Sequence, residues 1–275
     1  MPDVLIRPES RYRARPAARD REATPRFEIV GPGDAPVVVA LGGISASRHV
    51  TSSVTDASAG WWEDVVGDGR AIDTRHVRVL GVDFTDGGSA GSGRPARTVT
   101  TFDQASAVAR ALDAVGVEQA LAVVGASYGG MVALAFAEAF PSRLERLVAI
   151  SAPHEPHPMS TALRAVQRQI VELGLATGQT QRAMAIARGL AMTTYRSREE
   201  FAERFGSQPV DENGRATFPV EAYLRVHGER FAARWTAERF LALSLSADLH
   251  HVDPAAIRTP TTVVAAQGDA IVPRS

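Results

Sequence analysis

The residues best suited to chemistry lie in one short stretch, Gly125-Ala126-Ser127-Tyr128-Gly129. An apolar run, residues 120–124, precedes it, and a helix-prone run, residues 131–140, follows it. Gly-x-Ser-x-Gly between a strand and a helix is the pattern of a nucleophile elbow, in which a strained turn projects the serine outward. We therefore predict that Ser127 is a covalent nucleophile. The alternative is a tight glycine turn with an incidental serine.

A serine hydroxyl needs a base to take its proton and a carboxylate to orient that base. In this strand–turn–helix arrangement the chain order is serine, then an acidic residue, then histidine. Asp269 follows a late strand-like run, and its position favours the orienting carboxylate over a plain turn aspartate. No histidine follows it, and we assign the base to none of the seven histidines, which are His49, His76, His154, His157, His227, His250 and His251.

An acyl-transfer site also needs two backbone N–H donors for the negatively charged oxygen of the intermediate. One is expected from Tyr128, the residue after the nucleophile. The other is expected from Ile44, in the Gly42-Gly43-Ile44 loop that ends a buried, β-branched run. The alternative for that loop is a plain strand-to-loop turn.

Composition sets limits on the class of protein. The 275 residues are 45% apolar and 22% charged, which is typical of an ordinary globular protein. The net charge is −1, so the chain has no strong electrostatic field that would attract nucleic acid or membranes. Cysteine is absent, which excludes disulfides and thiolate metal sites. No apolar run is long enough to cross a bilayer. We expect a cytoplasmic protein with no metal, nucleic-acid or membrane partner.

Strand-like and helix-like segments alternate over the first 153 residues, which predicts an α/β fold with a mostly parallel sheet covered by helices on both faces. Residues 26–30 read as an edge strand and residues 103–115 as a helix. The buried-strand candidates are residues 37–41, 77–84, 120–124 and 147–151.

The alternation of strand-like and helix-like segments ends at residue 159. Residues 159–248 are expected to be helical throughout, with no strand, and to form an inserted lid. The resulting division is an arm over 1–24, a core over 25–158, the lid over 159–248, and a core that resumes over 249–275 with a strand at 261–266. One further strand, one helix and the catalytic histidine are expected beyond Ser275, so that the core is truncated.

With these residues in view, the chain resembles the homoserine O-acyltransferase family of the α/β-hydrolase fold from about Val37 to Pro273. The elbow is similar to that of the family, which usually has Gly-Gly-Ser-Met-Gly-Gly. Segments of the predicted lid are more specific, because ordinary hydrolases lack them. The matching segments are 60–62 with 69–74, 123–131, 194–197 with 199–201 and 204–206, and 220–224 with 228–231.

The resemblance implies acyl transfer from an acyl-coenzyme A to the hydroxyl of homoserine, in methionine biosynthesis, by a ping-pong route through acyl-Ser127. It implies that Arg196 holds the carboxylate of the substrate, that no cofactor is permanently bound, and that two copies pack through the lid as a homodimer.

Three departures from the family pattern matter. The glycine-rich loop at 86–93 is short, the loop at 42–45 differs, and the C-terminal part in which the family has its histidine and a following substrate-binding aspartate is missing. The first two, together with Tyr128, favour a succinyl-type branch, with succinyl-CoA preferred over acetyl-CoA and serine left open as the acceptor. An esterase-type hydrolase and a catalytically incomplete, truncated protein are the other hypotheses.

Overall fold

A computed structural model of the chain describes residues 24–88, 97–269 and 271–272. Nearly all of the predicted N-terminal arm lies outside the described residues. So does the second half of the short loop at 86–93.

The centre of the molecule is a six-stranded sheet in the order β1-β5-β2-β6-β7-β10. Strand β1 pairs antiparallel with β5, and the other neighbours pair parallel. Its strands are β1 (Phe27–Val30), β2 (Val37–Leu41), β5 (Arg78–Val82), β6 (Ala122–Ala126), β7 (Leu147–Ile150) and β10 (Thr261–Val264). The predicted mostly parallel sheet is confirmed, including its edge strand β1.

Two further β pairs lie outside this sheet. Strands β3 (Val66–Gly67) and β4 (Ile72–Asp73) pair within the long segment that links β2 to β5. Strands β8 (Val210–Glu212) and β9 (Arg215–Thr217) form an antiparallel hairpin.

Seven α-helices surround the sheet within the described part of the chain. They are α1 (Thr101–Ala114), α2 (Tyr128–Ala139), α3 (Pro158–Ala176), α4 (Thr180–Met192), α5 (Arg198–Phe205), α6 (Pro219–Ala232) and α7 (Ala237–Asp248). Short 3₁₀ segments occur at Pro141–Arg143 and Pro254–Ala256. None of the described helices is both long and apolar enough to cross a membrane.

The main core lies between the sheet and helices α1, α2 and α7. All five residues of β2 are buried, as expected for a central parallel strand covered on both faces. Phe136 of α2 and Leu112 of α1 are completely buried in the same cluster. Leu243 of α7 joins them, so the last helix before β10 is anchored directly in the core.

The expectation that residues 159–248 contain no strand is wrong, because β8 and β9 lie within them. The turn of this hairpin is Asn213-Gly214, in which both residues have positive φ, 58° and 80°. Asn-Gly favours this two-residue turn, since asparagine tolerates and glycine readily adopts the left-handed conformation. The strands flanking the turn are short and mostly exposed, so they lack the apolar alternation that would have marked them.

Candidate active site

Ser127 lies at the sharp turn from β6 into α2, at the carboxyl end of the sheet. Its φ of 55° and ψ of −120° place a non-glycine residue in a strained backbone conformation, which costs on the order of 1–3 kcal/mol. The surrounding structure holds this strain in place. The N–H of Ser127 donates to the carbonyl of Ile150 in β7 (2.8 Å), and its own carbonyl accepts from Met131 in α2 (3.0 Å).

The two motif glycines allow the elbow to close. A Cβ at Gly125 would collide with the carbonyl of Gly129, and one at Gly129 would collide with the backbone of Leu41 at the end of β2. The strand, the helix and the neighbouring strand therefore meet at distances that no side chain permits. This close approach leaves Ser127 exposed at the surface of a pocket.

The two predicted oxyanion donors lie at the same pocket. The N–H of Gly129 donates to the carbonyl of Gly42 (2.9 Å), which draws the loop after β2 against the elbow. Ile44 and Tyr128 both line the pocket with Ser127. Within the described residues, neither N–H has an acceptor. Their catalytic role stays a prediction, but both donors are available for a ligand.

The pocket has a volume of about 120 Å³ and is partly open to solvent. One wall is the elbow, and the opposite walls come from α3, α4, α6 and α7, with the loop after β10 at the rim. Its accessible surface is mainly apolar, which is typical of small-molecule sites. Among the described residues, no group of three or more histidine, aspartate or glutamate side chains could hold a metal ion.

Asp269 lies in the loop after β10. Its Oδ1 accepts the N–H groups of Ile271 (2.8 Å) and Val272 (2.9 Å), and both of these residues line the pocket. Ser160 of α3 donates to the carbonyl of Ile271 (2.6 Å), which ties the loop to the lid. Within the described part of the chain, no hydrogen bond reaches the other oxygen of Asp269, so it is available to orient a base. That role remains a prediction.

Arg196 does not line the pocket in this structure. Its guanidinium pairs with Glu200 one turn along and donates through Nε to the phenol of Tyr223 (3.2 Å). The hydrogen bond to Tyr223 and the pairing with Glu200 raise the pKa of the Arg196 guanidinium. Substrate binding at Arg196 therefore remains a prediction. It would require the carboxylate of the substrate to replace that of Glu200.

His157 is the histidine that lines the pocket with Ser127. Its Nδ1 accepts the N–H of Met159 and caps the first turn of α3 (3.2 Å). A neutral imidazole that accepts through Nδ1 carries its proton on Nε2. His157 is therefore suited to donating a hydrogen bond, and not to taking the serine proton.

His250 is completely buried and bonded at both ring nitrogens. Nδ1 pairs with the hydroxyl of Thr101 (2.8 Å), and Nε2 pairs with the carbonyl of Pro153 (3.1 Å). Burial lowers the pKa of His250 to about 4, against an opposing contribution from the Pro153 carbonyl. This histidine joins α1, α7 and the loop after β7, and its hydrogen bonds give it a structural role.

A second polar feature, which the sequence had not indicated, lies on the lid side of the pocket. Arg164 of α3 lines the pocket and donates from Nε to Oδ1 of Asp248 (2.6 Å). Its Nη2 is buried and has no hydrogen-bond partner among the described residues, which is costly for a donor. A guanidinium that lines a pocket suits an anionic ligand. The available signal was weak: two arginines, Arg164 and Arg168, one turn apart on an otherwise amphipathic helix.

Tyr128 connects the elbow to the lid through its side chain. The ring is buried edge-on against Phe84, with centroids 4.9 Å apart, and its hydroxyl hydrogen-bonds to that of Ser246 in α7 (2.7 Å). Burial raises the pKa of Tyr128 to about 12, although the bond to Ser246 acts in the opposite direction. The phenol therefore stays neutral and holds α7 beside Ser127.

Comparison with known proteins agrees with this geometry. The sequence matches the family model of the alpha/beta hydrolase fold over residues 36–275. It is 44% identical over 256 residues to the homoserine O-succinyltransferase of Xanthomonas campestris pv. campestris, which covers 93% of this chain and 68% of that protein. It is 38% identical over 212 residues to the homoserine O-acetyltransferase of Thermus thermophilus, covering 70% and 53%.

A solved structure gives the same fold. The homoserine O-acetyltransferase of Bacillus anthracis superposes with a TM-score of 0.79 at 16% identity, covering 90% of this chain and 78% of that one. At that identity the likeness establishes the fold alone.

Proposed function

This chain belongs to the homoserine O-acyltransferase family of the α/β-hydrolase fold, and on that premise we propose that it transfers a succinyl group from succinyl-CoA to the hydroxyl of homoserine. The observation that carries the proposal is the position of Ser127, strained and exposed at a pocket that Arg164 also lines. Methionine biosynthesis is the corresponding role.

The proposed reaction has two steps at Ser127. Its Oγ attacks the carbonyl carbon of the thioester, the N–H groups of Ile44 and Tyr128 stabilise the oxyanion, and the thiol of coenzyme A leaves with a proton. The homoserine hydroxyl then attacks acyl-Ser127, its proton returns to the serine, and the O-acyl product leaves. We assign no residue as the base; Asp269 is the proposed orienting carboxylate.

Arg164 supports succinyl-CoA over acetyl-CoA as the donor. A succinyl group attached to Ser127 ends in a carboxylate, whereas an acetyl group ends in a methyl. The guanidinium of Arg164, which lines the same pocket as Ser127, can form a charge-assisted hydrogen bond with that carboxylate. The Xanthomonas relative is named as a succinyltransferase and the Thermus relative as an acetyltransferase, so the relatives by name alone leave both donors open.

Arg196 remains the proposed partner for the carboxylate of the acceptor. Its ion pair with Glu200 is half-exposed, so exchange of Glu200 for a substrate carboxylate costs little. Homoserine is the proposed acceptor, and serine is the matched alternative to include in every assay.

The direct test of function is acyl-CoA turnover with and without an acceptor. We expect release of coenzyme A from succinyl-CoA only when homoserine is present, with a slower reaction from acetyl-CoA. Equal turnover without homoserine would identify a hydrolase. Faster release of coenzyme A with serine than with homoserine would identify serine as the acceptor instead.

A homodimer that packs through the lid, in the cytoplasm, completes the proposal. Sedimentation velocity of the purified chain tests the dimer, and a monomer at micromolar concentration would contradict it.

A further inference from the structure

One histidine, His49, bridges the edge of the sheet and the long connection that follows β2. Its Nδ1 lies 3.1 and 3.0 Å from the two carboxylate oxygens of Glu28 on strand β1. Its Nε2 lies 2.9 Å from the carbonyl oxygen of Ser58. The side chains of His49 and Glu28 are only 17% and 22% exposed, so their contact is largely withdrawn from water.

Every group that faces the ring of His49 in the described part of the chain is a hydrogen-bond acceptor. The carboxylate of Glu28 and the carbonyl of Ser58 have no proton to give. The hydroxyl of Ser58 lies 3.2 Å from Nε2, but it donates its one proton to Oδ1 of Asp56 (2.7 Å). Only the imidazolium donates from both ring nitrogens, so the geometry selects the charged form of His49.

The charges around His49 favour the same form. Glu28 faces the ring from β1, and Asp56 faces it from the connection, with Oδ2 3.9 Å from Nδ1. Two arginines close to these residues in the sequence pair instead with Asp83, and they are Arg26 and Arg48. The hydrogen bond to the Ser58 carbonyl and the carboxylate of Glu28 raise the pKa of His49 above its ordinary value of 6.5, against the opposing effect of burial.

The segment that His49 holds begins at the pocket. It leaves β2 at Gly42, whose carbonyl accepts the N–H of Gly129 in the elbow (2.9 Å). Ile44 lines the pocket five residues before His49. The N–H of Ile44, an expected oxyanion donor, therefore lies between a contact with the elbow and the contact of His49 with the sheet edge.

We propose that His49 is a positioning residue: as an imidazolium bonded on both sides, it fixes the segment that presents the N–H of Ile44 to the pocket, and it releases that segment on losing its proton. The inference rests on the proposed function, because the proposed reaction uses that N–H to stabilise the oxyanion. A neutral ring keeps only one of the two hydrogen bonds. Since folding raises the pKa of His49, the hold is complete below pH 6.5 and is lost as the pH rises through the folded-state pKa.

Hydrogen exchange of the whole chain, read by mass spectrometry on peptides covering residues 42–60, tests the hold without any substrate. After correction for the intrinsic exchange rate, protection in the wild type should fall about tenfold between about pH 6 and about pH 9, the value of one hydrogen bond to a charged group. His49→Gln should already lack this protection at the lower pH. His49→Arg stays charged and should keep it at the higher pH. His76→Gln, at a side chain 76% exposed, is the matched control and should follow the wild type.

Turnover of succinyl-CoA with homoserine extends the test to the proposed reaction. His49→Gln should be slower than the wild type by about tenfold at the lower pH, which is less than the loss of a whole oxyanion donor costs. The two rates should converge at the higher pH, where the wild type has also lost the hold. His49→Arg should then be the faster protein.

The outcomes separate this role from the proposed function. If the wild type turns over but protection is the same in His49→Gln, or the ratio of their rates is constant with pH, the positioning role is wrong and the proposed function stands. If protection follows the charge at position 49 but no turnover occurs, the proposed function is wrong and the hold on the segment stands. Should His49→Gln not fold by circular dichroism, Glu28→Gln decides: it should move the loss of protection to lower pH, and an unchanged pH would contradict the role.

Discussion

At the residue scale, the strained position of Ser127 at the turn was predictable because its signal is entirely local. Five consecutive residues specify the turn, and the residues on either side specify the strand and the helix. Asp269 was placed by position alone, and the structure adds that one of its oxygens is used to hold the loop. Arg164 was not predictable, because its partner Asp248 lies 84 residues away and the pairing exists only after α3 and α7 have packed.

Gly125 should be among the most sensitive positions in the chain. In Gly125→Ala the new methyl collides with the Gly129 carbonyl, a backbone atom that cannot move aside without opening the elbow. We expect a loss of about 1–3 kcal/mol or more in the free energy of unfolding, measured by urea denaturation.

Gly33→Ala is the matched control, since a Cβ there meets no atom within 4 Å. It should change the free energy of unfolding by less than about 0.5 kcal/mol. Equal effects at the two glycines would contradict the close approach described at the elbow.

His250 makes stability depend on pH. Its folded-state pKa of about 4 lies below the ordinary value of 6.5, so the unfolded chain binds the proton more readily. The stability linked to His250 is therefore complete above pH 6.5 and falls as the pH drops from 6.5 toward 4. The slope reaches about 1.4 kcal/mol per pH unit.

The measurement is a series of urea denaturations between pH 7.5 and 4.5 on the wild type and His250→Gln. The difference in unfolding free energy between the two should shrink steadily as the pH falls. A difference that stays constant over this range would show that the buried imidazole is not held neutral.

At the element scale, the strands were predictable to within one or two residues, because buried parallel strands read as continuous β-branched runs. The hairpin β8–β9 was missed for the opposite reason: its strands are exposed, and the Asn213-Gly214 turn was its single strong signal. The sequence also did not predict which helices of the lid pack against each other. Hydrophobic periodicity identifies the buried face of a helix, but it does not identify the helix that packs on that face.

The contact between the elbow and α7 should give a measurable coupling free energy between Tyr128 and Ser246 in a double-mutant cycle. Tyr128→Phe and Ser246→Ala each remove one partner of a buried hydroxyl–hydroxyl hydrogen bond, and each should lower the unfolding free energy by about 1–2 kcal/mol. The double variant removes both groups and should lose less than the sum of the single changes. Strictly additive losses would show that the hydrogen bond does not join these elements.

At the scale of the whole molecule, the sheet is well covered at its centre and exposed at β10. All four residues of β10 are exposed, and Val263 retains 65% of its surface. An apolar strand at a sheet edge is a template for pairing with another chain. The described part of the protein should therefore associate weakly through this edge at high concentration.

Val263→Lys tests that expectation, since a lysine on an edge strand opposes pairing. Sedimentation velocity at increasing concentration should show less association than in the wild type. Val54→Lys, at a fully exposed loop position, is the matched control and should behave as the wild type does. Equal association in all three proteins would exclude the β10 edge.

In the proposed reaction, Ser127 carries the succinyl group between donor and acceptor. The most direct measurement is mass spectrometry of the intact protein and its peptides after brief incubation with succinyl-CoA, and in parallel with acetyl-CoA, without an acceptor. We predict a succinyl adduct on the peptide that contains Ser127, none in Ser127→Ala, and less labelling by acetyl-CoA. An adduct that survives in Ser127→Ala, or the absence of any adduct in the wild type, would contradict the account.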